Sequence, residues 1–144
     1  PWKSSKHSGA YTVLFSTKAI DFNKTNGLAS PEKEEKCLKC HSTEYMMKGT
    51  PKGQFFNITE GIGCESCHGA GSEYSSAEIM KEESSFIRSG GVKGDEKTCL
   101  KCHNAKGNKE KTLKEDVCPF QPDDFEYNSA FEKIKHPLSN EFKK

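Results

Sequence analysis

Long apolar runs are missing from this chain. None of its 144 residues lies in an uninterrupted apolar stretch of the eighteen or more that a membrane-spanning helix needs, so a transmembrane segment is excluded. Apolar residues are also scarce overall. They make up 32% of the chain, with a mean hydropathy of −0.85, where a globular domain carries about 45–50%. A conventional core built from side chains alone does not fit that composition. Charge of one sign is lacking too: 22 Lys and Arg face 21 Asp and Glu, interspersed as in Glu32-Lys33-Glu34-Glu35-Lys36, for a formal net charge of +1. Such a chain has no electrostatic case for nucleic acid, and its charges read as a solvated surface. A secretory signal pattern is absent as well, and only five histidines are present.

Cysteine is not scarce. Six of the seven cysteines fall in three repeats of one pattern: Cys37-Leu38-Lys39-Cys40-His41, Cys64-Glu65-Ser66-Cys67-His68 and Cys99-Leu100-Lys101-Cys102-His103. Cys-x-x-Cys-His is the attachment signature of c-type haem. Two thiols three positions apart add to the two vinyl groups of one porphyrin, and the adjacent imidazole reaches the iron. Zinc has no need of a His at that fixed offset, and three pairs divide awkwardly into four-ligand sites. A disulfide framework gives no reason for His after every second Cys. The reading is three covalently bound haem c groups.

Three macrocycles explain the shortage of apolar residues, because their faces supply apolar surface for side chains to pack against. Folding is then expected to depend on haem, as small metal domains depend on their ion. Six propionates and three ferric porphyrins take the formal charge to roughly −2. Haem c is attached outside the cytoplasmic membrane. The chain therefore reads as the mature form of an exported protein, in the periplasm or outside the cell.

The pattern predicts a mainly α fold with long loops, a single trihaem cytochrome c domain over residues 1–144. A helix is expected over Ser8 to Ala19, with Tyr11, Leu14 and Phe15 on one face. Ser30-Pro31 reads as the cap and first position of a short helix delivering Cys37 to His41. Phe55-Phe56-Asn57-Ile58-Thr59 is strand-like and ends at Gly61-Ile62-Gly63. One helix is expected from Ser72 to about Ser89, with Ile79, Met80, Phe86 and Ile87 on one face and Gly90-Gly91 at its end. Ala105 to Asp116 reads as a surface loop. Asn128 to Lys135 reads as a last helix, with Phe131 and Ile134 inward and Pro137 as its stop.

The motifs use His41, His68 and His103, so only His7 and His136 remain as distal iron ligands. Two haems then take a second imidazole and suit electron transfer, and the third has none within the chain. Met46 and Met47 follow His41 too closely to cross the ring, and Met80 belongs to the apolar stripe.

Three segments resemble the tetrahaem cytochrome c554 family: Trp2-Lys3-Ser4-Ser5-Lys6-His7, Gly61-Ile62-Gly63-Cys64-Glu65-Ser66-Cys67-His68-Gly69-Ala70-Gly71 and Phe131-Glu132-Lys133-Ile134-Lys135-His136-Pro137. The glycines flanking the middle block let backbone pass close to a macrocycle or a neighbouring segment. The chain begins where the family already carries its first haem motif, and the histidine serving that haem, expected between Gly71 and Phe86, is absent. Both differences imply a three-haem variant. The resemblance implies that His7 serves the His68 iron and His136 the His103 iron. It leaves the His41 haem as the family's open site, with Cys118, Pro119 and Phe120 where the family has Thr-Pro-Phe over that face. Cys118 then has three readings: an ordinary buried small residue, a thiol near or on the His41 iron, or one half of an intermolecular disulfide.

Three functions follow as expectations. The first is electron transfer between redox protein partners outside the cytoplasm, with lysines offering a docking patch and no catalytic residues. The second is an enzyme acting on a small nitrogen oxide at the open His41 haem, where Glu44, Tyr45 or Lys48 would have to supply protons. The third is a haem subunit of a larger complex or homo-polymer.

Overall fold

The computed structural model describes residues 2–51, 53, 56–103, 118–120 and 125–136. About half of them are helical (51%), and no strand occurs among them. The mainly α expectation therefore holds. No described helix is long and apolar enough to cross a membrane.

Helices are short, and polar side chains set their starts. They are α1 (Thr17–Thr25), α2 (Glu35–His41), α3 (Thr43–Met46), α4 (Cys64–His68), α5 (Ala77–Lys81), α6 (Glu83–Arg88), α7 (Glu96–Cys99) and α8 (Tyr127–Ile134). Ser16, Glu34, Ser42, Ser76, Glu82, Asp95 and Glu126 each accept a backbone N–H of the helix that follows, which satisfies donors a helix start leaves orphaned.

Those caps account for the departures from the expected elements. The Ser8 to Ala19 segment is a series of turns, then a 3-10 turn at Thr12–Phe15; Ser16 is extended and opens α1 instead. Ser30 opens only a turn, closed by Lys33 N to Ser30 O at 2.8 Å, and the helix carrying the first motif starts beyond it under the Glu34 cap. The helix expected from Ser72 to Ser89 is two helices. Ser76 caps the first, and Glu82 breaks the run because its carboxylate accepts from Ser84 N and Ser85 N and restarts the chain as α6. Gly90, at φ +84°, does follow the end of α6. Within the strand-like run, Asn57 accepts from Thr59 N at 2.9 Å and starts a 3-10 turn at Ile58–Glu60; Phe55 lies outside the described residues. The expected loop over Ala105 to Asp116 and the stop at Pro137 also lie outside them.

The protein core is small. Tyr11, Leu14 and Leu38 form its buried cluster, with Cys37, Tyr45 and Ile58 packed against it. Other apolar side chains stay open in the polypeptide: Phe131 and Ile134, expected inward, are each 38% exposed, and Met80 and Ile87 are more so. A polar hub sets how the first two motifs sit. Thr43, just after the first motif, donates from its N to Gly61 O at 2.9 Å, and its buried Oγ1 accepts from Gly63 N at 2.7 Å and meets Ser66 Oγ at 2.7 Å. Thus α3 is stitched to the start of α4.

Candidate haem-binding site

Each Cys-x-x-Cys-His sequence lies on one helical turn. The first closes α2, the second is α4 itself, and the third runs from the end of α7 into a turn in which Cys102 N and His103 N both donate to Cys99 O, at 3.1 and 2.9 Å. Positions i, i+3 and i+4 share a helix face, so each turn presents two thiols and one imidazole on one side.

Backbone carbonyls orient two of these imidazoles. His41 Nδ1 lies 2.6 Å from Ala10 O, and His68 Nδ1 lies 2.8 Å from Val92 O. A carbonyl only accepts, so Nδ1 carries the proton and Nε2 keeps its lone pair for a metal. His103 stacks on Phe125 at 4.8 Å and 11°. Burial lowers the pKa of both His103 and His7, and the nearby His7 lowers His103 further, which favours the neutral form a metal binds.

The two remaining histidines come to motif histidines. The His7 and His103 ring centres are 6.0 Å apart, and those of His136 and His68 are 5.8 Å apart. A nitrogen binds a metal at about 2 Å and the ring centre lies about 1 Å beyond, so two imidazoles on opposite sides of one iron stand about 6 Å apart. The spacing fits. These neighbours differ from the pairing the resemblance implied, in which His7 served the His68 iron and His136 the His103 iron. The turn carrying His7 meets the second motif's leader through its backbone, His7 O accepting from Ile62 N at 2.9 Å, and its ring lies beside His103 instead.

Contacts among the thiols relate the motifs. The Cys40 thiol hydrogen-bonds to Cys102 and holds the Cys102 pKa below its ordinary value. Burial raises the Cys67 pKa, and Cys99 adds to it from nearby. Burial likewise raises Cys37, against a hydrogen bond from Asn23 and with a contribution from Cys118. Cys118 therefore lies in the neighbourhood of the first motif. Behind it Pro119 is buried, and Phe120 meets Phe22 of α1 edge-on at 5.4 Å while Lys18 Nζ stands 4.3 Å over its ring. Met46 and Met47 are half-buried at the end of α3, and Met80 is exposed. Glu44 and Tyr45 sit on α3, and Lys48 pairs with Glu35 at 3.4 Å.

Several contributors carried no signal in the sequence. Asn23, buried in α1, donates to Ala29 O at 2.7 Å and approaches Cys37 Sγ at 3.9 Å. Tyr74 is buried with its hydroxyl on Gly69 O, and it packs on Phe86, which in turn meets the edge of His68. Burial is the main reason the Tyr74 pKa is pushed up to about 12. Only the aromatic character of Phe86, within an apolar stripe, was legible beforehand.

Comparison with known proteins agrees with this chemistry. The family described as cytochrome c554 and c-prime matches residues 1–69. The chain is 28% identical over 155 aligned residues to cytochrome c-554 of Nitrosomonas europaea, an alignment covering 92% of this chain and 64% of that protein. It thus spans a little under two thirds of that relative's length. No solved structure matches it. With one helical turn per Cys-x-x-Cys-His motif, the chain is similar over residues 1–69 to the cytochrome c554 and c-prime family and, more weakly along its length, to one cytochrome c-554.

Proposed function

We propose that the chain is a trihaem electron carrier acting between redox proteins outside the cytoplasm. Cys37/Cys40, Cys64/Cys67 and Cys99/Cys102 would attach the three haems, with His41, His68 and His103 as their proximal ligands. The observation that carries this reading is the pairing of His7 with His103 and of His136 with His68 at 6.0 and 5.8 Å. An iron held between two imidazoles has no open position for a substrate, which suits electron exchange better than catalysis. When bound, haem c supplies one-electron exchange between ferric and ferrous iron.

The polypeptide's part is placement. The third motif lies next to both others, through Cys102 beside Cys40 and Cys99 near Cys67, which supports an order with the His103 group in the middle. Ala10 O and Val92 O fix the rings of His41 and His68 and make them stronger donors. Lys39 and Lys101, both exposed, occupy the same position in two motifs and both act on Cys102. They place positive charge where an acidic redox partner would dock.

Intact-mass measurement tests the reading. The mature protein should carry three haem masses that survive acid extraction, and a reductive titration should take up three electrons per chain. Any other haem count overturns it.

One observation favours a second activity. His7 and His136 stand beside other histidines, so His41 has no imidazole of this chain opposite it. A small nitrogen oxide could bind on that side, next to the Cys118-Pro119-Phe120 segment. Turnover of such a substrate by the reduced protein, lost on blocking that position, would establish it.

A further inference from the structure

His7 sits on a turn whose course is set by residues outside every Cys-x-x-Cys-His motif. Its carbonyl accepts from Ala10 N at 3.1 Å and from Ile62 N at 2.9 Å. Ile62 returns the contact from its other peptide group: its carbonyl accepts the Trp2 indole N–H at 2.7 Å. Ile62 therefore grips the N-terminal turn from both sides.

Gly61, next to it, is buried and adopts φ +70° and ψ −137°, a conformation essentially restricted to glycine. A Cβ at Gly61 would lie 2.6 Å from His7 O, 2.8 Å from Ser8 O and 3.1 Å from Ala10 N. All three are backbone atoms, so no side chain can rotate aside, and the whole turn would have to move. Gly27 and Gly49 also have positive φ, but a Cβ at either meets nothing within 4 Å. Gly61 cannot move away from the turn instead, because its carbonyl accepts from both Thr43 N and Thr43 Oγ1 at 2.9 Å.

We propose that Gly61 and Trp2 are positioning residues for His7 as the second axial ligand of the His103 haem. The leader of the second motif thereby determines ligation at the third. The proposal rests on the reading that His7 and His103 share one iron. The same turn carries Ala10, whose carbonyl orients His41, so its displacement reaches two haems at once.

Electron paramagnetic resonance of the oxidised, fully loaded protein tests this. His7→Ala is the reference and should turn one low-spin haem per chain high-spin. Gly61→Ala should give the same gain of one high-spin haem, and added imidazole should restore the low-spin signal. Gly27→Ala and Gly49→Ala, which share the positive φ without the contact, should keep the wild-type spectrum. Trp2→Phe, which keeps an aromatic ring but loses the indole N–H bond to Ile62 O, should give a partial high-spin fraction. That variant decides the matter if Gly61→Ala fails to mature. If His7→Ala converts a haem but Gly61→Ala, or in its absence Trp2→Phe, keeps every low-spin haem, the positioning proposal is wrong and the ligand reading stands. If His7→Ala itself changes nothing, the ligand reading falls.

Discussion

The imidazole of His136, just beyond the end of α8, stands 5.8 Å from that of His68 on α4, with the ring planes 65° apart. Phe86 closes another side of His68 edge-on at 5.7 Å. Val92 O fixes the Nδ1 of the same ring. Three separate parts of the chain thus converge on one imidazole, which leaves Nε2 as its one nitrogen for a metal.

The pairing itself can be read by deletion. In protein stripped of the third haem by Cys99→Ala/Cys102→Ala, His7→Ala should leave the spin states unchanged. In protein stripped of the second haem by Cys64→Ala/Cys67→Ala, the same substitution should turn one haem high-spin. His136→Ala should behave in the opposite way. The reverse pattern in low-temperature resonance spectra would restore the pairing implied by the family resemblance.

Carbon monoxide should bind the reduced protein at one equivalent per chain, at the haem of His41. The count follows from five histidines, of which two motif members already face a second imidazole. Cys118→Ala should speed carbon monoxide association without adding a second binding equivalent. A stoichiometry of two or more in a spectrophotometric titration contradicts the axial pairs.

Leu14 is 4% exposed in the cluster it forms with Tyr11 and Leu38, beside the first motif. Leu14→Ala should destabilise the loaded protein by about 2–5 kcal/mol, through lost burial and the cavity left behind. Val13→Ala, one residue earlier but half-exposed, should stay within about 0.5 kcal/mol. Guanidinium midpoints followed through the haem absorption measure both.

Glu82 shapes the acid response. Hydrogen bonds from Ser85 and Ser84 hold its carboxyl below the ordinary 4.5, at about 2. A depressed folded-state pKa means the contribution is complete above about 4.5 and is lost as pH falls toward about 2. Thermal stability should therefore fall as pH is lowered through that window. Glu82→Gln should lack this one carboxylate's share of the pH dependence while the α5–α6 break persists. An identical pH slope in wild type and variant counts against the cap.

The turns that carry the three Cys-x-x-Cys-His motifs were legible in the sequence because their geometry is local. Cys, Cys and His at i, i+3 and i+4 face one way on any helical turn, whatever surrounds it. The last helix and the Gly90 stop were legible for the same reason, and so was the shortage of distal histidines, which needs only counting. Tertiary structure decided the rest. The pairing of His7 with His103 depends on a backbone contact to Ile62 across some fifty residues, and no spacing encodes that. Asn23 reaches Cys37, and Thr43 joins Gly61 to Ser66, only because the chain folds back on itself. The long helix expected through Glu82 failed where a carboxylate satisfied backbone donors better than another helical turn would. Each Cys-x-x-Cys-His turn is set within five residues; which histidines stand together and how the three turns are arranged belong to long-range packing, where backbone groups from distant segments must find partners.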